Sequence, residues 1–270
     1  MRQPETPDFH VIGSKRKIMD KKEGVSEKEQ VIYGKNAVTE ALLSGTAVDT
    51  VYLLRGAGGM GRIAALAKEN GAVVKETGEE KLRSLVGPGD VKHGGVAAVI
   101  AAASYSSVGD ILAVSQDKGL PPFIIAADGI QDPHNLGAII RTAEAAGADG
   151  VIIPKRRSAS VTSTVYKTSA GAASWIKVAR VNSLASALEE LKKRGIWVYG
   201  AEADGTPFHK AKLEGGVCLV IGSEGQGLSR LVRETCDEVL SIDMYGHVNS
   251  LNASVSAGVL MYEVVKYRRK

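Results

Sequence analysis

Apolar runs of strand length alternate along this chain with stretches of helical spacing, and the pattern changes character between its first third and the rest. The runs at 123–127, 217–221 and 239–242 are apolar at nearly every position, as expected of strands buried on both faces. From residue 122 onward the pattern predicts strands at 123–128, 150–153, 176–180, 196–200, 217–221 and 238–242. Helices are predicted between them at 136–146, near 161–172, from Ser183 to Gly195, at 228–235 and at 252–267. Strands interleaved with helices at this spacing imply an α/β fold with a mostly parallel sheet covered on both sides. Upstream, residues 31–102 repeat the alternation on a smaller scale: a helix from an Asn36 cap through Ser44, a strand at 50–54, and a helix at 62–70 stopped by Gly71. Strand 72–75, helix 79–86 and strand 96–102 complete a small α/β domain. Ser104, Ser106 and Ser107 at one end and Gly119-Leu120-Pro121-Pro122 at the other mark residues 103–121 as a linker with room for a short helix. Residues 1–30 mix charges with Pro4 and Pro7 and read as a disordered tail.

Composition narrows this picture. A 270-residue chain that is 44% hydrophobic can build real cores. It has no apolar run near the roughly 20 residues that span a bilayer, and no apolar stretch followed by a cleavage site at its start. The expectation is a soluble cytoplasmic protein without membrane association. Cys218 in a strand and Cys236 at a helix end lack C-x-x-C spacing and a His neighbour, so both are expected reduced and structural. The net charge of +4 permits a polyanionic partner without requiring one. Residues 31–121 carry nine basic and nine acidic side chains, so charge alone does not mark that segment as a nucleic-acid binder. Local basic clusters are Lys15-Arg16-Lys17, Lys155-Arg156-Arg157 and Lys266-Tyr267-Arg268-Arg269-Lys270.

Three polar islands interrupt the apolar runs: Asp132-Pro133-His134-Asn135-Leu136-Gly137 running on to Arg141, Gly222-Ser223-Glu224-Gly225-Gln226-Gly227, and Asn249-Ser250-Leu251-Asn252-Ala253-Ser254. Each follows a predicted strand and precedes a predicted helix. Loops leaving the carboxyl ends of parallel strands gather along one edge, so these distant residues can line one crevice. Read singly they are capping chemistry: Asn135 is placed as an N-cap, Arg141 can pair with Glu144, and Asn249, Ser250 and Asn252 can cap the last helix. Read together they put amides, a hydroxyl, a guanidinium and a carboxylate at one sheet edge. The glycine loop fails the dinucleotide fingerprint, because Arg230 stands where G-x-G-x-x-G needs glycine, and no Gly-Lys-Ser/Thr follows it. Glu224 would also repel a phosphate. His10, His93, His134, His209 and His247 show no ligand spacing, so neither a metal site nor a nucleophilic triad is predicted.

The islands resemble the three signature motifs of the SpoU (TrmH-type) RNA ribose 2′-O-methyltransferases of the SPOUT superfamily. The carrying residues are Asn135-Leu136-Gly137 with Arg141, Ile221-Gly222-Ser223-Glu224-Gly225, and Ser250-Leu251-Asn252-Ala253-Ser254, in the family's order. The resemblance extends over residues 31–270. Asp132-Pro133-His134-Asn135, Ile153-Pro154-Lys155-Arg156-Arg157 and Gly195-Ile196-Trp197 are most similar to the branch that methylates a guanosine ribose in 23S ribosomal RNA.

What the resemblance implies goes beyond the strand count. It implies a trefoil knot in a SPOUT domain at 122–270, a small RNA-gripping domain at 31–102, and a homodimer with the active site at or near the subunit interface. The cofactor would be S-adenosyl-L-methionine, held by backbone around Gly222, Ile242 and Leu251. Asp243 and Tyr245 stand where relatives often carry Pro and Ala. The catalytic set would be Asn135, Arg141, Glu224, Ser250 and Asn252, with Ser250 and Asn252 fixing the ribose. Two roles for Arg141 stay open. Held by Glu224 and Asn135, it orients the RNA phosphate and a proton-accepting water; alternatively, locally perturbed, it takes the proton itself. Salt-sensitive RNA contacts are expected from Lys155, Arg156 and Arg157, with Arg55, Arg62 and Lys92 as further candidates and His93 either touching RNA or holding a turn. Other readings are an enzyme acting on transfer RNA or an antibiotic-site adenosine, a noncatalytic RNA-binding or ribosome-assembly protein, and a nucleotide-dependent oxidoreductase.

Overall fold

The structure, a computed structural model, describes residues 29–87, 92–101 and 105–268. The basic cluster at 15–17, His10, Arg269 and Lys270, and all but the last two residues of the expected tail lie outside the described residues.

The first sheet contains β1 (Glu29–Tyr33), β2 (Val48–Leu54), β3 (Val73–Thr77) and β4 (Val96–Ala101), ordered β1-β4-β2-β3. Helices α1 (Lys35–Leu43), α2 (Gly61–Glu69) and α3 (Glu79–Val86) connect them. β1 was not expected. It pairs antiparallel with β4 and draws Gln30 into the sheet, where the sequence suggested only the end of a charged tail. Its presence also moves the helix start. The chain turns from β1 into α1 through Gly34 at φ 95, without a side-chain cap, and Asn36 sits inside the first turn instead of capping it.

The second sheet has six strands: β5 (Phe123–Ala127), β6 (Gly150–Pro154), β7 (Lys177–Val181), β8 (Trp197–Pro207), β9 (Val217–Ile221) and β10 (Glu238–Ser241). Their order is β10-β8-β9-β5-β6-β7, and each neighbouring pair is parallel. Helices α5 (Pro133–Ala145) and α9 (Ala253–Arg268) cover one face, while α4 (Val108–Lys118), α7 (Leu184–Lys192) and α8 (Arg230–Thr235) cover the other. A shorter helix, α6 (Ser163–Thr168), follows β6. Side chains alternate across a strand, and the apolar runs divide accordingly. Phe123, Ile125, Val217, Leu219 and Ile221 join the core beneath α5 and α9, whereas Ile124, Ala126, Cys218 and Val220 join the core beneath α7. This is why these strands are apolar at every position.

The segment expected as a linker with room for a short helix holds α4. Ser107 and Asp110 close a complete capping box at the start of α4, and Gly119 ends the helix in the left-handed conformation. Ile111 and Leu112 are buried against the second sheet, and Ser106 bridges to Ala179 of β7. The glycine and prolines near 119–122 are therefore helix-stop signals. The two sheets also share a core, since one continuous apolar cluster holds Ile32 and Leu42 from the first and Phe123 and Leu136 from the second. Gln30 Nε2 donates to the Val161 carbonyl at 3.0 Å, and Trp175 Nε1 donates to Glu40 at 2.9 Å. No described helix is long and apolar enough to cross a membrane.

Candidate active site

The start of α5 is capped by Asp132, whose carboxylate accepts from the His134 amide at 2.9 Å, with Pro133 at the first helical position. Asn135, expected as the cap, is thereby released for another task. Its Nδ2 donates to Glu224 Oε1 at 3.1 Å, while its Oδ1 accepts from Asn252 Nδ2 at 2.9 Å. Asn252 Nδ2 also donates to Glu224, and the Ala253 amide approaches the same carboxylate oxygen at 3.4 Å. The three polar islands therefore meet through one carboxylate and two amides. Asn252 does a second job with its oxygen, which accepts from the Ser254 and Val255 amides and caps α9.

The glycine loop that carries Glu224 is folded back on itself. Ser223 and Gly227 exchange backbone hydrogen bonds at 2.9 and 3.0 Å, and a Cβ on Gly222 would lie 2.4 Å from the Gly227 carbonyl carbon. Only glycine admits that approach. Two acids that the motif reading did not single out brace the loop from either side. Asp128, buried just past the end of β5, accepts from the Ser229 amide at 2.6 Å. Glu202 accepts from the Leu228 amide at 2.9 Å and is itself held by Arg233, which also binds Asp204. Those bonds, Glu202 foremost, raise the Arg233 pKa further. An acid placed immediately after a fully apolar strand was the available signal for Asp128.

Both parts of the chain match known families. Residues 122–262 match the model of the SpoU rRNA Methylase family, and residues 31–106 match that for RNA 2′-O ribose methyltransferase substrate binding. The chain belongs to the SpoU methylase family. A Staphylococcus haemolyticus protein assigned to the TrmH family of tRNA/rRNA methyltransferases is 44% identical over 89% of this chain and 96% of its own length. A Bacillus subtilis protein of the same assignment is 42% identical over 90% of this chain and 98% of its own. Among solved structures, the SpoU methyltransferase AviRb of Streptomyces viridochromogenes, in complex with AdoMet, superposes with a TM-score of 0.74. It covers 89% of this chain and 91% of its own at 24% identity, a likeness of fold.

Within this SpoU site the expected residues divide. Asn135, Glu224 and Asn252 are joined; Arg141 stands apart from their hydrogen bonds. Six residues along α5 at 3.6 per turn place it about 120° round the helix from Asn135. It lines a shallow depression with Glu40, Glu144 and Trp175, and the expected hold by Glu224 and Asn135 does not form within the chain. Ser250 is exposed in the loop before α9, and Ile242 and Leu251 are half-buried beyond β10 and ahead of α9. His93 faces inward: its Nε2 meets Glu79 at 3.0 Å and its Nδ1 accepts from the Gly95 amide at 3.1 Å. With both ring nitrogens engaged and the side chain buried, it holds a turn. Cys218 and Cys236 are unpaired by disulfide, and burial raises both thiol pKa values, that of Cys236 to about 11. Among the described residues no group of three or more His, Cys, Asp or Glu side chains could hold a metal ion.

Proposed function

We propose that this chain transfers the methyl group of S-adenosyl-L-methionine to a ribose 2′-hydroxyl of a guanosine in 23S rRNA, working in the cytoplasm as a homodimer. The observation that carries the reading is the convergence of Asn135, Glu224 and Asn252 from three strand ends. The surroundings suit the cofactor. Glu224 and the exposed Asp243 supply negative charge for a sulfonium, Gly222 permits close backbone approach, and half-buried Ile242 and Leu251 supply apolar contact. When bound, S-adenosylmethionine supplies an electrophilic methyl that the ribose oxygen takes as the C–S bond breaks toward sulfur and the hydroxyl proton departs.

In this reading Ser250 and Asn252 position the ribose, and Glu224 locks the two asparagines in one orientation. Arg141 orients the RNA phosphate and the water that accepts the proton, because a guanidinium hardly deprotonates. Residues 31–102 grip RNA, with Lys155, Arg156 and Arg157 adding phosphate contacts, and residues 122–270 form the knotted catalytic domain. The homodimer reading draws support from α9, which buries Ala257, Leu260, Met261 and Val264 yet exposes Val255, Val259 and Tyr262 on its other side. A helix with apolar side chains on two opposite faces needs cover on both.

The test is methyl transfer from labelled S-adenosylmethionine to unmodified ribosomal and transfer RNA, with the methylated ribose then mapped. Transfer to 23S rRNA at a guanosine, lost by at least 100-fold in Arg141→Ala with the fold intact, is the expected result. Arg141→Ala activity within a few fold of wild type would remove the assignment of Arg141. Transfer confined to tRNA would favour the second reading, which the tRNA/rRNA names of the relatives keep alive.

A further inference from the structure

Behind the glycine loop, on the α7 and α8 side of the sheet, lies a cavity of about 300 Å³ whose lining does not include Asn135, Glu224 or Asn252. Its apolar floor comes from Leu184, Leu228 and Val232, all buried, while Leu231 stands 57% exposed at its mouth. Arg156 and Arg157 form one wall, and Asp128, Gln131 and Gln226 add acceptors and donors around it. Arg157 is one of two non-glycine residues with positive φ, at 57°, among the described residues. Such a conformation persists where the surroundings over-determine it, and it clusters at ligand sites.

We infer that this cavity is a subsite for one nucleotide of the RNA substrate other than the methylated one. The inference rests on the proposed RNA methyltransferase activity and adds to it. Volume and lining match a nucleotide: guanidinium groups for a phosphate and for stacking on a base, an apolar floor for the base face, and polar groups for its edge. Unpaired bases splayed from the strand are what sequence-selective RNA readers grip. The loop ties this subsite to the catalytic cluster. Ser223, Gln226 and Gly227 face the cavity, Glu224 bonds Asn135 and Asn252, and Asp128 fastens the loop's far end through the Ser229 amide. The methylated ribose and the second nucleotide therefore sit on two sides of one short loop, and filling the subsite steadies Glu224.

Two substitutions reach the subsite without threatening the fold. Arg157→Gly removes the guanidinium at a position whose φ suits glycine, and Leu231→Glu alters an exposed side chain. Each variant and the wild type would be assayed for labelled S-adenosylmethionine binding and for methyl transfer to unmodified RNA. The RNA would be used intact and in a series carrying one abasic nucleotide at each position around the target. The expected result is a KM for RNA raised about tenfold in both variants, with cofactor affinity within twofold of wild type. At one position other than the target, base removal should cost the wild type about tenfold and cost Leu231→Glu nothing further. Wild-type transfer without any such position would overturn the subsite alone, and unchanged KM in both variants would overturn it together with the phosphate contact proposed for Arg157. Absence of wild-type transfer to any RNA would overturn the methyltransferase reading and the subsite with it.

Discussion

Glu224 gathers three donors at one oxygen, and the consequence is testable because its partners differ in what else they do. Asn135 gives its side chain wholly to the cluster, whereas Asn252 also caps α9. Loss of an N-cap costs about 1 kcal/mol, while changes to exposed side chains usually stay within about 0.5 kcal/mol. Glu224→Ala is therefore expected to lower methyl transfer by about two orders of magnitude at an unchanged melting temperature. Asn252→Ala should lower both, the melting temperature by about 2–4 °C. Calorimetry beside the transfer assay separates the two, and equal loss of stability in both variants would count against the division of labour. Asn135 shows the limit of reading residues singly: Asp132 and Asn135 are both competent caps, and only the three-dimensional approach of Glu224 decides which is used. The thiols yield a pH prediction. A raised folded-state pKa favours the protonated folded form, so the Cys236 contribution is present below the unfolded value near 8.5 and is lost as pH rises toward about 11. Intact-mass measurement after iodoacetamide at pH 8 should show no adduct on the native protein and two on the denatured one.

At the level of elements, the second sheet was legible because burial on both faces leaves continuous apolar runs. What escaped was structure whose evidence is spread thin. β1 is short and borders a charged segment, and its partner β4 lies more than 60 residues away. The α4 helix was legible only as a possible short helix, because Ser107 and Gly119 serve loops and helix ends alike, and only the Ser107–Asp110 box distinguishes the two. Ser107→Ala is expected to cost about 1 kcal/mol, read as a fall of about 2–4 °C in melting temperature; a free linker would show no change. The same box has a pH signature. Ser107 backbone and hydroxyl bonds hold the Asp110 carboxyl below its ordinary value. Its contribution is thus present above the unfolded pKa and is lost as pH falls through the folded one. The glycine loop was legible as a motif, yet its bracing by Asp128 and Glu202 depends on strands β5 and β8 lying on either side of β9. Glu202→Ala should leave the Leu228 amide without its acceptor and raise the apparent Kd for S-adenosylmethionine several fold. Tritium-labelled cofactor binding measures it, and unaltered affinity would show that the loop holds its shape without that brace.

For the molecule as a whole, the two α/β units were separable by pattern, while their common core was not, since it depends on α1 meeting the α6 region around Gly171 and Trp175. A stripe of apolar side chains along α9 is left uncovered. Val255, Val259 and Tyr262 follow helical spacing on the side away from the sheet and are 51%, 36% and 49% exposed. Periodicity in the sequence announces a helix there but cannot say what covers its second face. If a second copy does, the protein should sediment at twice the 28.4 kDa chain mass. A glutamate at the centre of the stripe then places two like charges across a symmetric interface, because in a two-fold contact each patch meets its own image. Val259→Glu is accordingly expected to give a folded monomer by circular dichroism and light scattering. It should retain salt-sensitive RNA binding, as none of the basic residues invoked for RNA lies on that stripe, and lose most methyl transfer if, as the resemblance implies, the active site lies at or near the subunit interface. A wild type that is monomeric at assay concentrations, or a Val259→Glu monomer that methylates at the wild-type rate, would remove the dimer from the mechanism and confine the chemistry to the residues of one chain.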